Sequence, residues 1–236
     1  MAKSNIAEIG IADFHSHILP GADHGSYSVS ESLKQLELAK AFGVKKIVAT
    51  PHFYPDSHTL DAFLKRRELA CDMLRGAYHE MEPEIFLGAE VLLCQGLEKM
   101  PDIDKLFIEG TRTILLELPY SYFSEDLIVT VSKMIKSGID VVLAHVDRYP
   151  MENIYRMVEV GASVQINAAA ICSFFKRRRL RELFEMGAVS AVGSDIHNVD
   201  REAYKKFARA INIVGPYAEN IKIQTEKLLT NAILIK

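Results

Sequence analysis

One unit recurs four times along this chain: an amphipathic stretch, a glycine, then a short β-branched run ending in a polar residue. It spans Ala41-Phe42-Gly43-Val44-Lys45-Lys46-Ile47-Val48-Ala49-Thr50, Lys136-Ser137-Gly138-Ile139-Asp140-Val141-Val142-Leu143-Ala144-His145, Val160-Gly161-Ala162-Ser163-Val164-Gln165-Ile166-Asn167 and Met186-Gly187-Ala188-Val189-Ser190-Ala191-Val192-Gly193. Glycine ends a helix because it enters the left-handed region without a Cβ clash, and four to six apolar, β-branched positions in a row make a strand covered on both faces. The unit therefore reads as helix, glycine, strand. Ile9–Phe14, Ile85–Ala89 and Thr113–Leu118 are further strand candidates, which brings the expected number to seven. Ser28 and Glu31 have the spacing of a capping box and head a helix with Leu33, Leu36 and Ala39 on one face. Ser124 heads another, carrying Leu127, Ile128, Val131, Met134 and Ile135. Such alternation predicts an α/β fold with a parallel sheet, and seven units suit a closed or nearly closed (β/α)7 TIM-like barrel better than an open doubly wound sheet. No linker or low-complexity tract divides the chain, so one domain over residues 1–236 is expected.

Composition bounds the partners. Hydrophobic residues make up 49% of the chain and charged ones 25%, with 28 Lys+Arg against 31 Asp+Glu for a net charge of −3. Intrinsic disorder is excluded at that balance, and no broad basic field is available to grip a nucleic acid. The three cysteines, Cys71, Cys94 and Cys172, are an odd number, far apart, with no CxxC. Free thiols in a reducing, cytoplasmic compartment are the expectation. Residues Met1–Glu8 lack the apolar core of a secretory leader, and no stretch approaches the ~20 apolar residues of a membrane span.

In a parallel barrel the active site is assembled at the carboxyl ends of strands. The first expected strand runs into Asp13-Phe14-His15-Ser16-His17, the second into Thr50-Pro51-His52 and the third into Gly88-Ala89-Glu90. The fourth contains Glu117, the fifth ends at His145, and the seventh runs into Gly193-Ser194-Asp195-Ile196-His197. Only the sixth, ending at Gln165-Ile166-Asn167, lacks a charged or imidazole group. Of eight histidines, five stand at these ends, His24 follows in the next loop, and only His58 and His79 fall elsewhere. A single strand-end histidine is ordinarily a hydrogen-bonded core residue, and Glu90 or Glu117 alone would be expected to pair with Lys or Arg. The joint pattern points instead to metal: imidazole and carboxylate together suit borderline divalent ions, and His15-x-His17 on a strand aims both rings to one side. His15, His17, His24, His52, Glu90, Glu117, His145, Asp195 and His197 are too many ligands for one ion and fit two or three. A multinuclear site of that kind makes hydroxide at neutral pH and clamps the oxygens of a tetrahedral anion, so phosphate-ester hydrolysis is the expected chemistry.

Taken in order, Asp13-Phe14-His15-Ser16-His17-Ile18-Leu19-Pro20-Gly21-Ala22-Asp23-His24-Gly25, Ala49-Thr50-Pro51-His52, Gly88-Ala89-Glu90-Val91, Leu115-Leu116-Glu117-Leu118, His145-Val146-Asp147-Arg148-Tyr149 and Gly193-Ser194-Asp195-Ile196-His197-Asn198 resemble the polymerase-and-histidinol-phosphatase (PHP) superfamily. The resemblance is narrower to its bacterial protein-tyrosine phosphatases of capsular and exopolysaccharide synthesis. It implies a distorted seven-stranded barrel with a trinuclear site. His15, His17, Glu90 and Asp195 would hold one ion, Glu90 with Glu117 and His145 a second, and His24, His52 and His197 a third. Manganese is implied, with iron, zinc or cobalt acceptable to such ligands. Asp13 would orient a ligating imidazole, Arg148 would bind phosphate, and Arg201 would be a second such arginine. The implied substrate is a phosphotyrosine-containing protein, most directly the tyrosine-rich tail of a bacterial tyrosine kinase.

This chain departs from the family pattern in two places. His24 stands where Leu-Pro-Gly-x-Asp-Asp-Gly would supply a carboxylate, and the step from His197 to Arg201 is one residue short. Cys172-Ser173-Phe174-Phe175-Lys176-Arg177-Arg178 matches C-x5-R, but a phosphate loop needs glycine-sized residues whose N–H groups can wrap the anion, and two phenylalanines preclude that. The run Lys176-Arg177-Arg178-Arg179 reads either as a solvated helix face or as a patch that docks an acidic or phosphorylated partner. Two other functions compete: a phosphatase for a small phosphate monoester such as histidinol phosphate, and a non-catalytic metal-binding regulator.

Overall fold

The structure, a computed structural model, describes residues 12–230. Residues 9–11 of the expected first strand and the N-terminal stretch Met1–Glu8 lie outside the described residues. Strands and helices alternate: β1 (Asp13–Ser16), α1 (Val29–Ala41), β2 (Lys46–Ala49), β3 (His52–Phe53), α2 (Leu60–Ala77), β4 (Glu84–Leu87), β5 (Glu90–Leu92), β6 (Thr113–Glu117), α3 (Glu125–Lys136), β7 (Asp140–Leu143), α4 (Met151–Glu159), β8 (Ser163–Asn167), α5 (Ala168–Cys172), α6 (Phe174–Glu185), β9 (Val189–Gly193), α7 (Arg201–Val214) and α8 (Ala218–Thr230). Every strand pairing is parallel, in two sheets ordered β1-β2-β4 and β3-β5-β6-β7-β8-β9.

The described residues hold nine strands where seven were expected, and two of the added segments have a simple origin. β3 follows β2 after Thr50-Pro51, and β5 follows β4 after Gly88-Ala89, so each pair is an interrupted run whose halves belong to different sheets. At the interruption Gly88 N–H still donates to Ala49 O at 2.8 Å and Glu90 N–H to Pro51 O at 3.1 Å. At the far side β1 meets the segment after β9 through a parallel bridge between Ser16 and Ile196. Asp195 N–H donates there to His15 O at 2.8 Å and His17 N–H to Ile196 O at 2.9 Å. The four repeat glycines, Gly43, Gly138, Gly161 and Gly187, all have positive φ, as a helix-to-strand reversal requires. Ser28 caps α1, its hydroxyl accepting from Glu31 N–H, while the Glu31 carboxylate accepts from Tyr27 N–H at 2.8 Å.

Side chains sort by strand alternation. One face of the strands packs with the helices in the larger core, where Ile47, Ile114, Leu116, Leu143, Val164 and Ile166 meet Leu36, Leu74, Leu127, Ile154 and Tyr204. The other face forms a smaller cluster in which Phe14, Val48, Leu115, Val142 and Ala191, from five strands, meet Leu228 and Leu229 of α8. Along β6, Thr113 donates its hydroxyl to Leu228 O at 2.7 Å and Leu115 sits in the cluster. Glu117 faces the opposite end. One face of one strand thus runs from an apolar plug to a polar site. Leu228→Ala should lower unfolding free energy by about 2–5 kcal/mol, the usual cost of a buried leucine truncation, measured by urea denaturation.

Candidate metal centre

Glu90 opens β5 and is fully buried. Its register partner across the β3–β5 ladder is His52, so the two side chains emerge side by side. Glu90 Oε2 lies 3.1 Å from His15 Nε2, 3.3 Å from His17 Nε2 and 3.0 Å from His52 Nδ1, and Oε1 lies 2.6 Å from His145 Nε2. Asp195 Oδ1 stands 3.7 Å from His15 Nε2, 3.5 Å from His17 Nε2 and 3.6 Å from His197 Nδ1. Glu117 is 3.5 Å from His145 and 3.9 Å from His52. Four sets of three emerge whose donor atoms lie within 4.8 Å of one another: His17, His52, His197; His15, His17, Asp195; His15, Glu90, His145; and His52, Glu90, Glu117. Eight of the nine expected ligands are therefore brought together. The ninth, His24, is exposed and belongs to none of these sets, although its ring stacks on His52 at 4.8 Å and nears His197 at 4.7 Å.

The donor set fits cations on three counts. His15 Nε2 and His17 Nε2 face each other at 3.1 Å, a separation that needs a shared proton or an ion toward which both lone pairs turn. His52 Nδ1 is buried without a hydrogen bond although a carboxylate oxygen is near. Burial, then the neighbouring Glu90 charge, pushes the Glu117 carboxyl up to about 7, a conflict between two carboxylates that a cation relieves. Burial would raise Glu90 as well, but the surrounding imidazoles outweigh it and hold that carboxyl well below its usual range. For His15 and His17 burial acts downward and is overcome by Glu90 and Asp195, so both are raised. Burial keeps His145 low and brings His197 to about 4, both favouring the neutral imidazole that a cation needs.

Backbone strain marks the same positions. Among the described non-glycine residues with positive φ are His145 (φ 33) and Asp195 (φ 55), conformations that persist only where surroundings enforce them. The enforcing groups are not in the expected set. Gln165 on β8 accepts from His145 N–H at 2.7 Å, and its Oε1 is 3.2 Å from His15 Nδ1; its amide donates to Asn167 Oδ1, and Asn167 donates to Asp195 Oδ2, both at 2.9 Å. Gly193 leaves room for this, because a Cβ there would stand 2.6 Å from both Gln165 Nε2 and His15 Cβ. Asp23 is likewise a functional residue missed: it accepts from His17 Nδ1–H at 2.7 Å, Gly25 N–H at 2.8 Å and His52 N–H at 3.0 Å. The signal was present as polar alternation in Gln165-Ile166-Asn167 and as an aspartate before His24-Gly25.

Two residues with expected roles are held by other contacts. Asp13 touches no imidazole ring: its carboxylate accepts from Ser194 N–H at 2.7 Å and, more weakly, from His15 N–H at 3.5 Å, so it holds the backbone of β1 against the segment after β9. Arg201, at the start of α7, is exposed and lines a surface groove with Lys34, Glu37 and Val199. Arg148 does reach the site, donating to Asp195 Oδ2 with its side chain 34% exposed. Cys172 donates to Lys206 O within a helical segment, and burial pushes its thiol up, the opposite of a nucleophilic cysteine. Removing the Gln165 carboxamide by Gln165→Ala should weaken divalent-cation binding by about 10–100-fold with the circular dichroism spectrum unchanged, measured by calorimetric titration with Mn2+.

The family model described as "Capsular polysaccharide synthesis, CpsB/CapC" matches residues 11–234. Tyrosine-protein phosphatase CpsB of Streptococcus pneumoniae is 28% identical over 208 residues, covering 80% of this chain and 83% of that protein. Tyrosine-protein phosphatase YwqE of Bacillus subtilis (strain 168) is 29% identical over 204 residues, covering 79% and 77%. Among solved structures, one of YwqE from Bacillus subtilis and CpsB from Streptococcus pneumoniae, described as unique metal-dependent tyrosine phosphatases, matches with TM-score 0.77 and 21% identity over 95% of this chain and 96% of that one, a likeness of fold.

Proposed function

The chain belongs to the CpsB/CapC capsular polysaccharide synthesis family, and on that footing we propose that it is a metal-dependent protein-tyrosine phosphatase. The observation that carries the reading is Glu90, one buried carboxylate with four imidazole nitrogens 2.6–3.3 Å away and an arginine-held aspartate beside them. His15, His17, Glu90 and Asp195 would hold one divalent cation, Glu90, Glu117 and His145 a second, and His52 and His197, with His24 or His17, a third. Manganese is the proposed metal, and iron, zinc or cobalt suit the same ligands. When bound, such ions supply a water acidic enough to attack at neutral pH and offset negative charge on phosphoryl oxygens. The finer fold reading, a distorted seven-stranded barrel forming one domain, is supported by the Ser16–Ile196 bridge and by five strands meeting around Leu228 and Leu229.

The chain's own groups then bind and orient the substrate. Arg148, with part of its fork still open to solvent, takes phosphoryl oxygens bidentately, an interaction that strengthens as negative charge builds on them in the transition state. Its turn is fastened from behind, since Arg179 Nη2 donates to Asp147 O at 3.0 Å and Tyr149 O at 2.8 Å, while Lys176 Nζ donates to Asp147 Oδ2 at 2.9 Å. Tyr54 stacks on His52 with centroids 5.2 Å apart, and the exposed Tyr120 lies 5.3 Å from Tyr149, giving the mouth an aromatic rim suited to an aryl phosphate. The leaving tyrosine phenolate, with a pKa near 10, needs little help from a general acid. The proposed substrate is a phosphotyrosine-bearing protein, such as a bacterial tyrosine kinase tail in capsule or exopolysaccharide synthesis. Among the described residues no helix is long and apolar enough to cross a membrane. The three free thiols go with a cytoplasmic setting.

Turnover of p-nitrophenyl phosphate and of a phosphotyrosyl peptide should require Mn2+, stop with EDTA and survive iodoacetamide. His145→Ala should abolish it with the fold retained by circular dichroism, and full activity in that variant would defeat the assignment. A higher kcat/KM on histidinol phosphate than on the phosphopeptide would move the substrate to the small-ester class, and absence of any turnover in the metal-loaded protein would leave a binding role. Arg179→Ala, by loosening the turn that carries Arg148, should reduce kcat/KM by about ten- to a hundredfold while leaving metal content intact by elemental analysis.

A further inference from the structure

The basic run on α6 divides between two sides of the helix. Lys176 and Arg179 are committed to the turn at 147–149. Phe174, Arg177, Arg178, Arg181 and Phe184 follow the i, i+3, i+4, i+7 spacing of a single helix side and line a groove of about 310 Å³, walled opposite by Val214 of α7 and by Tyr217. The groove is apolar within and cationic at its rim. Phe174 and Phe175 are 64% and 84% exposed, with rings edge-on 5.7 Å apart, and the Arg177 guanidinium lies 5.9 Å from the Phe174 centroid. Two adjacent phenylalanines left in water are an uncompensated apolar surface. Arg178 has no partner among the described residues, and Arg181 has only an exposed pair with Glu185, which is worth little in water. Glu182, the other nearby carboxylate, is engaged by the Tyr155 hydroxyl at 2.5 Å.

Position ties this groove to the metal centre. Lys176 and Arg179 of α6 hold the turn that carries Arg148, and Arg148 donates to Asp195, so the N-terminal half of this helix, with the two phenylalanines, adjoins the donor cluster. From there a helix of this length extends about 18 Å along the side of the molecule, the reach of roughly five extended residues. We propose that the groove docks an acidic, aromatic-bearing segment of the phosphoprotein substrate, flanking the phosphotyrosine held at the metal centre. Charge complementarity selects this occupant: the unpartnered Arg178 and the exposed, weakly paired Arg181 take carboxylates bidentately, while Arg177 donates to Ile171 O at 2.9 Å, and the phenylalanine faces take aromatic side chains. A nucleic acid would call for a wide basic field, which a chain of net charge −3 does not offer. The identity of the docked chain as substrate rests on the phosphatase reading; the groove's affinity for acidic peptide does not.

The test therefore measures binding apart from turnover. Fluorescence anisotropy would follow a labelled, unphosphorylated Glu–Tyr peptide on the wild-type chain, on Arg178→Glu/Arg181→Glu and on Phe174→Ala, each checked by circular dichroism. Steady-state kinetics would compare a phosphotyrosyl peptide carrying that acidic flank with p-nitrophenyl phosphate. The charge reversal should weaken peptide binding by about tenfold or more, the scale of one lost charge-assisted contact, raise KM for the flanked phosphopeptide similarly, and leave kcat/KM on p-nitrophenyl phosphate within about twofold. Phe174→Ala should weaken binding without removing its salt dependence. No binding by the wild-type chain, equal binding by the charge-reversed chain, or tighter binding of an oligonucleotide of equal charge would overturn the proposal. Peptide binding lost on charge reversal, in a protein that hydrolyses no phosphoester, would sink the phosphatase reading and leave the docking groove standing.

Discussion

A carboxylate sealed from water is among the most costly groups a fold can carry, and Glu90 is such a group. It is tolerable only where positive charge or polarised donors meet it on every side. Four imidazoles do so here, delivered by three separate places in the chain: the end of β1, the start of β3 and the turn after β7. Much of the architecture near the strand ends can be read as the means of bringing these rings to one carboxylate. The interruption at Gly88-Ala89 starts β5 at Glu90, and the parallel register beside it sets His52 directly alongside.

Behind the donors stands a layer of hydrogen-bonding groups. Gln165 and Asn167 occupy the side of β8 that faces the site, and Asp23 reaches back from the loop after β1. These groups aim rings and hold the two left-handed residues, His145 and Asp195, in conformations that isolated peptides avoid. An imidazole whose other nitrogen is already committed presents its remaining lone pair in one direction, which is what a cluster of histidines able to hold a cation requires. At the other end of the strands, α8 closes the apolar cluster with Leu228 and Leu229, so the apolar cluster and the donor cluster lie at opposite ends of the same strand faces.

The α6 helix links the centre to the surface. Its Lys176 and Arg179 hydrogen-bond to the turn that carries Arg148, while its other side leaves cationic and aromatic groups exposed. Helical periodicity alone makes that division possible, because residues three and four apart share a face and their neighbours do not.

Periodicity and punctuation are local properties, and these the sequence determined by itself. The helix–glycine–strand repeat and the Ser28 cap are set by short-range sterics and hydrogen bonding, and the gathering of histidines and acids after strands follows from where such residues can end a buried run. The strand interruptions at Thr50-Pro51 and Gly88-Ala89, the backing role of Gln165 and Asn167, the turning of Asp13 toward amides and the outward placement of Arg201 were decided only by the tertiary structure. Each depends on which residues from distant parts of the chain share a few ångströms, and hydrogen-bond partners 150 positions apart, such as His15 and Gln165, leave no periodic trace in sequence. His24 shows the boundary well: its loop was legible, but the carboxylate that orients His17 is its neighbour Asp23, a choice made by the path of the backbone over the site.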